Sequence, residues 1–314
     1  MAAALLATIL PTFGIIGIGL LCRRLGIWDR SAVAALNRYA YVIALPALIF
    51  RSILDADLGT TFSRADALLL AGVLGGHLAV VLAALLLVST HGDRGRRAVA
   101  PMLLTFGSTA YLGIPYATYA FGPEGTTYAA LLSVVLVVVL LFVHLGVLNR
   151  FAARADRQST WHQLLELPFL WAVLLAVCWP IFRLPALPLA LDRTLGILAD
   201  SAGPTALLGL GTFLFDLKLE RIPWQWAISL GIGKVVLPAV ASFAILTALG
   251  IHGVRLAVGV AMGAVSTAVT AFVLSNEYRI GRELTAGAIL VSTLASLAAL
   301  SVISFLWVGT SVFN

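Results

Sequence analysis

The feature that most constrains this chain is a series of long apolar runs, each about as long as a helix that crosses a bilayer and nearly free of charge. The 314 residues are 61% hydrophobic and only 11% charged, whereas about 25% of the residues in an average soluble protein are charged. A spanning helix needs about 20 apolar residues. In lipid, only helices and closed barrels satisfy every backbone polar group. The length of the runs therefore predicts an all-α integral membrane protein.

We predict ten transmembrane helices joined by short connections, which leaves no residues for a soluble domain. The predicted spans are 4–21, 38–54, 66–89, 98–121, 126–148, 164–182, 192–214, 224–249, 254–276 and 284–307. The first apolar run has no basic residues before it and no convincing cleavage site after it. We therefore expect a retained first span and not a signal peptide.

The connections between these spans alternate in their content of Lys and Arg. One alternating set holds most of the 20 basic residues: Arg23, Arg24, Arg30, Arg38, Arg94, Arg96, Arg97, Arg150, Arg154, Arg157, Lys218, Arg221, Arg279 and Arg282. The other set holds Arg51, Arg64, Arg183, Arg193 and Arg255. Because Lys and Arg are retained on the cytoplasmic side, we predict a multi-pass inner-membrane protein with both termini outside. The net charge of +6 is then a topology signal, and no nucleic-acid partner is predicted.

The two halves of the chain share short motifs at one offset. Pro46 in span 2 and Pro204 in span 7 lie 158 positions apart, and Ser108-Thr109 in span 4 recurs as Ser266-Thr267 in span 9 at the same offset. An odd number of spans in each half inverts the second half in the membrane. We therefore predict one membrane domain made of a five-helix repeat (1–150) and an inverted five-helix repeat (151–314). Coincidence in a chain rich in Ala, Ser and Thr is the alternative.

Span 4 carries a proline well inside its apolar run. Pro115 removes a backbone donor and Gly113 relaxes the chain beside it, so we expect a kink or a break there. In lipid, a break is tolerated only where it lines a polar cavity or packs against protein. Ser108, Thr109 and Tyr111 place hydroxyl groups near it, and a half-helix that starts near Pro115 would point its positive dipole end at a carboxylate. A merely kinked helix is the alternative.

Span 9 carries a second segment rich in small and hydroxyl residues, without a proline. Gly259 and Gly263 allow close helix approach, and the hydroxyls that follow could cap a second broken helix. Taken alone, this segment is explained better by helix packing than by a ligand site. Together the two segments give the predicted substrate-binding residues: Ser108, Thr109, Tyr111, Gly113, Pro115, Ser266, Thr267 and Thr270.

Three ionisable residues inside the spans are candidates for ion coupling, because such residues are costly in lipid. They are His77, Asp200 and Lys234. For Lys234 the alternative is snorkelling to the inner face, and for His77 it is a hydrogen bond to a facing hydroxyl. No span shows the cluster of carboxylates and carbonyls that is typical of a sodium site, so protons are favoured over sodium. No metal site and no cofactor are predicted.

Several segments resemble the auxin efflux carrier family, in the same order and over nearly the whole chain. They are Pro11 to Ile27, Asn37, Leu45 to Phe50, Phe106 to Pro115, Phe121 to Gly125, Lys234, Pro238 and Ala268 to Val273. The resemblance implies ten helices in inverted repeats, with spans 4 and 9 broken and crossing at midplane, and transport of organic anions such as malonate or, in plants, indole acetate. In that family position 108 is often asparagine and position 266 often proline. Here both are serine, so the substrate and the coupling ion do not carry over.

The chain is thus predicted to be a secondary active transporter that moves a small mono- or dicarboxylate, auxin- or malonate-like, across the inner membrane by alternating access. Its partners would be that anion and membrane lipid, and homodimer formation is left open. An enzyme is not predicted, because the histidines are scattered over different spans and sides: His77, His91, His144, His162 and His252. Two alternatives remain, a receptor or scaffold without transport and a sodium-coupled carrier of the bile-acid symporter type.

Overall fold

The chain is helical throughout the part that the structure describes. This computed structural model describes residues 14–55, 63–91, 94–151, 168–182, 184–216 and 219–309. Helices and the short connections between them account for these ranges, and no named strand occurs within them. The predicted all-α class is therefore confirmed.

The predicted spans are helical where the structure describes them, but the helix bounds differ from the predicted ones. In the first half they are α1 (14–24), α2 (Arg30–Tyr39), α3 (Leu45–Asp55), α4 (Arg64–His91), α5 (Arg94–Thr105) and α6 (Ile114–Phe151). In the second half they are α7 (Pro168–Ile181), α8 (Leu189–Phe215), α9 (Trp224–Ala248), α10 (Gly253–Ala264), α11 (Val269–Glu277) and α12 (Arg282–Gly309). One-turn π-helices, Ala40–Ala44 and Thr109–Gly113, join α2 to α3 and precede α6.

Five stretches of the described residues are long and apolar enough to cross a membrane. They are Ser31–Arg51, Arg64–Leu87, Thr109–Phe151, Trp224–Ala248 and Arg282–Trp307. These stretches establish several membrane-spanning helices, while the ten-span topology and the repeat boundaries stay predictions.

The longest stretch is interrupted inside α6. Gly122 has φ 69° and ψ −160°, a conformation that only glycine adopts readily. Pro123 follows directly, and proline is well tolerated in the first turn of the helix that resumes after it. This kink coincides with the connection that the sequence places between spans 4 and 5.

The helices pack in two groups. The crossover group consists of α4, α5, α6, α9, α10, α11 and α12, and the flanking group consists of α1, α2, α3, α7 and α8. The main contacts between the groups are those of α3 with α6 and of α8 with the π-turn Thr109–Gly113. The boundary between the groups therefore runs along the second half of span 4.

Small residues bring helices of the crossover group into close contact, as the sequence predicted for span 9. A Cβ atom added to Gly263 would lie 2.7 Å from the Ala239 Cα of α9. At Gly259 the neighbours are side chains instead, Leu246 and Val73. Because lipid provides no hydrophobic driving force between helices, this close backbone packing is a main source of stability.

Gly263→Ala should therefore lower the midpoint of thermal unfolding in detergent. The added methyl group meets backbone atoms of α9 that cannot rotate away, and overpacking of this kind costs about 1–3 kcal/mol. Circular dichroism melting of the purified protein measures the effect.

Gly146→Ala on α6 is the matched control, because no atom lies within 4 Å of the position of its Cβ. Alanine is the better helix former, so the midpoint should stay or rise. Equal midpoints for the two variants would contradict the close α9–α10 contact.

Candidate functional site

Two helices of the crossover group are interrupted side by side and hydrogen-bond to each other there. α5 ends at Thr105, and α10 ends at Ala264. The Ser108 N–H donates to the Ser266 carbonyl at 2.7 Å, and the Ala268 N–H donates to the Phe106 carbonyl at 2.9 Å. We call residues 106–108 and 265–268 the crossover. These two bonds satisfy backbone groups that the interruptions would otherwise leave without a partner in lipid.

The break in span 4 is not where the sequence placed it. Pro115 does not open the chain: it lies in helical backbone directly after the π-turn Thr109–Gly113, in the half-helix that begins at Thr109. The chain opens at 106–108, and the π-turn Thr109–Gly113 follows, with the Ile114 N–H bonded to the Thr109 carbonyl. The predicted break at Gly113 and Pro115 is therefore wrong in position. The positive end of the second half-helix lies at Thr109.

Lys234 of α9 lies at the crossover and caps the end of α10. Its side chain is fully buried, and Nζ donates to the carbonyls of Gly263 at 2.9 Å and Val265 at 2.8 Å. These carbonyls belong to the negative end of the helix dipole. A Cβ on Gly107 would lie 3.3 Å from Nζ, so the ammonium also contacts the break in span 4. Snorkelling to the inner face is thus excluded for Lys234.

A small pocket lies between the crossover and the flanking group. Its volume is about 40 Å³ and its lining residues are Tyr41, Leu45, Ile49, Phe106, Gly107, Ser108, Thr109, Ala110, Tyr111, Val137, Ala268 and Thr270. This volume holds only a few water molecules. The two groups therefore leave little space between them at the pocket.

Three of the predicted site residues bring unpartnered hydroxyl groups to this pocket. They are Ser108, Tyr111 and Thr270, and within the described part of the chain none of their hydroxyls has a hydrogen-bond partner. A hydroxyl in a mostly apolar pocket is costly without a partner. The pocket is therefore prepared for a polar ligand or for water.

The hydroxyls of Thr109 and Thr267 form hydrogen bonds within the crossover group, unlike that of Ser266. The Thr109 hydroxyl lies 2.9 Å from Ser133 Oγ, and Thr267 Oγ1 donates to the Leu103 carbonyl at 3.1 Å. The Thr267 N–H donates to Ser292 Oγ at 3.0 Å. Ser266 accepts the bond from Ser108 with its carbonyl, while its Oγ is buried without a partner. The bonds of Thr109 and Thr267 therefore hold the crossover backbone that lines the pocket in position.

Gly113 and Pro115 serve as packing positions. A Cβ on Gly113 would lie 2.6 Å from the Met262 sulfur of α10, and Pro115 packs against Gly203 of α8. Neither residue lines the pocket. They instead set the distance between the second half of span 4 and its neighbours.

The coupling candidates have different environments. His77 is fully buried and its Nδ1 donates to the Val73 carbonyl at 2.8 Å, one turn earlier on α4, while Nε2 has no partner. The expected facing hydroxyl is therefore wrong for His77. Asp200 on α8 is exposed, and it forms no ion pair within the described residues.

His144 is a further buried histidine beside the crossover. Its Nε2 lies 3.0 Å from Thr105 Oγ1, and Thr105 in turn donates to the Pro101 carbonyl at 2.7 Å. Thr105 therefore accepts from Nε2–H, and Nδ1 has no partner within the described residues. The last residue of α5 is linked in this way to the C-terminal part of α6.

Comparison with known proteins agrees with this architecture. The sequence matches the family described as "Membrane transport protein" over residues 4–304. The chain belongs to this family. The Membrane transport protein family includes the auxin efflux carriers, so the resemblance found in the sequence is confirmed.

Relatives of this family align over almost their full length. One is an "Uncharacterized transporter" of Methanothermobacter thermautotrophicus, 27% identical over 93% of this chain and 95% of the relative. Another is named "Putative malonate transporter" in Rhizobium meliloti, 26% identical over 97% of this chain and 96% of the relative. The protein is therefore a membrane transporter by family.

Sequence reasoning missed the side of the pocket that the flanking group supplies. Tyr41, Leu45 and Ile49 lie near Pro46, in a region where the sequence showed a repeat motif and a family resemblance but no predicted site residue. It also missed the contact of Lys234 with α10. No local signal shows either feature, since both depend on which helices become neighbours.

A double-mutant cycle tests the packing of the π-turn on α10. Gly113→Ala should lower the unfolding midpoint because its Cβ meets the Met262 sulfur, and Met262→Ala should lower it by creating a cavity, at a cost of about 2–5 kcal/mol. The double variant should lose less than the sum of the two, with a coupling of about 1 kcal/mol. Thermal melting of the four proteins measures the coupling, and strictly additive losses would refute this contact.

Proposed function

We propose that this protein is a secondary active transporter that carries a small organic anion across the inner membrane by alternating access. The observation that carries the proposal is the pocket at the crossover. Unpartnered hydroxyls of Ser108, Tyr111 and Thr270 meet there beside two half-helices that begin at Thr109 and Val269. Both half-helix starts present positive dipole ends, which favour an anion.

A carboxylate suits this pocket better than a cation or a neutral sugar does. An ionised carboxylate only accepts hydrogen bonds, and the three hydroxyls can all donate to it. Leu45, Ile49 and Val137 supply an apolar wall for a short carbon skeleton. The name of the Rhizobium meliloti relative supports the same substrate class. We therefore propose a mono- or dicarboxylate, malonate- or auxin-like, as the substrate.

Two inverted repeats of five spans form the proposed scaffold. The interruptions of spans 4 and 9 lie at nearly the same 158-residue offset as the Ser-Thr motifs. The bond between Ser108 and Ser266 joins two residues that are themselves repeat partners. A contact of this kind belongs on the pseudo-two-fold axis of an inverted repeat.

Alternating access would arise from movement of the crossover group against the flanking group. The pocket has walls from both groups, so relative displacement would open it first to one side and then to the other. The crossover hydrogen bonds lie within one group and would move with it as a unit. Protons are the proposed coupling ion, and the buried His77, His144 and Lys234 are titratable groups near the crossover.

Uptake by proteoliposomes tests the proposal. The purified full-length protein is reconstituted and offered radiolabelled malonate, indole acetate and other small organic acids under imposed proton or sodium gradients. Gradient-dependent accumulation of at least one acid is expected. Thermal stabilisation by an acid that is never transported would favour the receptor alternative instead, and strict dependence on sodium at every pH would favour the bile-acid symporter type.

Thr270→Val should weaken binding of the transported acid while transport continues. The substitution keeps the shape of the side chain and removes one hydrogen bond, worth about 1 kcal/mol, or a rise of roughly fivefold in KM. The maximal rate should change little if the bond is made equally in the ground state and during translocation. Initial uptake rates over a range of acid concentrations provide both constants.

Thr247→Val near the end of α9 is the control, because that hydroxyl bonds only to carbonyls of its own helix. Its KM should equal that of the unmodified protein. A KM for Thr270→Val that also stays unchanged would place the substrate somewhere other than the crossover pocket.

A further inference from the structure

The ammonium of Lys234 lies directly behind the pocket. Gly107 lines the pocket on one side, and on the other side a Cβ at this position would lie 3.3 Å from both Cε and Nζ of Lys234. One glycine backbone therefore separates the charge from the ligand space. The absence of a side chain at Gly107 is what permits this approach.

The charge of Lys234 is only partly compensated. Its two hydrogen-bond acceptors are carbonyls at the end of α10, and the end of a helix carries about half a negative charge. The helices that pack on α9 are α4, α5, α10 and α12. On their described residues, and on α9 itself, no carboxylate is hydrogen-bonded to Nζ or paired with it.

The titratable groups around Lys234 include none that forms an ion pair with its ammonium in the described residues. His77 is the group that faces it from α4, with an unpartnered Nε2. The remaining titratable side chains of the packed helices lie near helix ends: Arg64, Asp66 and His91 on α4; Arg94, Arg96 and Arg97 on α5; His252 and Arg255 at the start of α10; and Arg282 and Glu283 on α12. Asp66 is already paired with Arg255 at 2.8 Å.

We propose that Lys234 is a tethered counter-charge for the transported anion and that it carries the coupling proton. This inference rests on the proposed transport function. Moving an unpaired charge through the low-dielectric interior of a membrane protein is costly. With a singly charged carboxylate in the pocket, the ammonium and the anion form a neutral pair, so the loaded crossover group can move.

In the empty carrier the ammonium of Lys234 is an unpaired charge, because the anion has left. Its return is favourable only after one N–H bond of Lys234 breaks, the proton passes to water on the release side, and the electron pair stays on nitrogen. The neutral amine then takes up a proton on the other side before the next anion binds. One proton is thus transported together with each anion that binds, and no sodium ion is required.

Separating exchange from net transport tests this inference. The full-length protein is reconstituted without sodium, the membrane potential is clamped at zero, and radiolabelled malonate is the probe. Counterflow, with malonate on both sides, requires only the loaded carrier, whereas net uptake also requires the empty carrier to return. Both are measured for the unmodified protein, Lys234→Arg and Lys234→Met. Lys218→Arg, at the only other lysine in the chain, is the control.

Lys234→Arg keeps a charge that does not dissociate in proteins. It should retain counterflow within about threefold and lose net uptake by about tenfold or more, because the charged empty carrier is trapped. Lys234→Met should lose both by about tenfold, because the anion has no counter-charge. Lys218→Arg should behave like the unmodified protein.

Two results would overturn the inference. One is net uptake by Lys234→Arg at the rate of the unmodified protein. The other is an equal loss of both activities in the Arg and Met variants while they remain monodisperse, which would indicate a purely structural lysine. A failure of the proposed function looks different, because the unmodified protein would then show neither counterflow nor net uptake of any acid in the panel.

If the Arg variant does not fold, the unmodified protein still decides the question. A pH-sensitive dye trapped in the vesicles should report acidification during net uptake and none during counterflow. Net uptake without acidification would exclude Lys234 as a proton carrier.

Discussion

The structure depends on how backbone groups are satisfied where two membrane helices stop short. A continuous helix would bond the Ser108 N–H to residue 104 and the Ala268 N–H to residue 264. Both N–H groups instead reach across to the other broken segment, at Ser266 and Phe106. Because lipid offers no water to replace a lost bond, this exchange is what permits two interruptions in the middle of an apolar bundle, and it ties them into one unit.

This constraint also determines the electrostatics of the site. Two helix starts and the ammonium of Lys234 concentrate positive potential near the pocket. The same ammonium donates hydrogen bonds to the carbonyls at the negative end of α10 and partly neutralises that end. This positive potential is the reason why we propose an anion as the ligand. The interruption of the helices and the preference for an anion thus have one physical origin, since the dipole ends exist only because the helices are broken.

The fold class, the helix positions and the hydroxyls of the pocket could be predicted from the sequence, because hydropathy and composition are local. The position of the break in span 4 could not. Pro115 is the conspicuous helix breaker, yet it lies in the first turn of α6, and the chain opens earlier, at Gly107. What opens the helix there is competition from acceptors and donors on span 9, which no pattern within span 4 reveals. The partners of Lys234 could not be predicted either, because they are carbonyls of another helix.

Span 9 shows how a helix is interrupted without a proline. In a continuous helix the carbonyls of Gly263 and Val265 would accept from the N–H groups of residues 267 and 269. Here both carbonyls accept from Lys234, and the Thr267 N–H is taken by Ser292 of α12. Two neighbouring side chains thus supply what a proline at position 266 provides in many auxin efflux carriers. Because Lys234 both ends the helix and lies behind the pocket, any change in its protonation acts on the crossover and the ligand together.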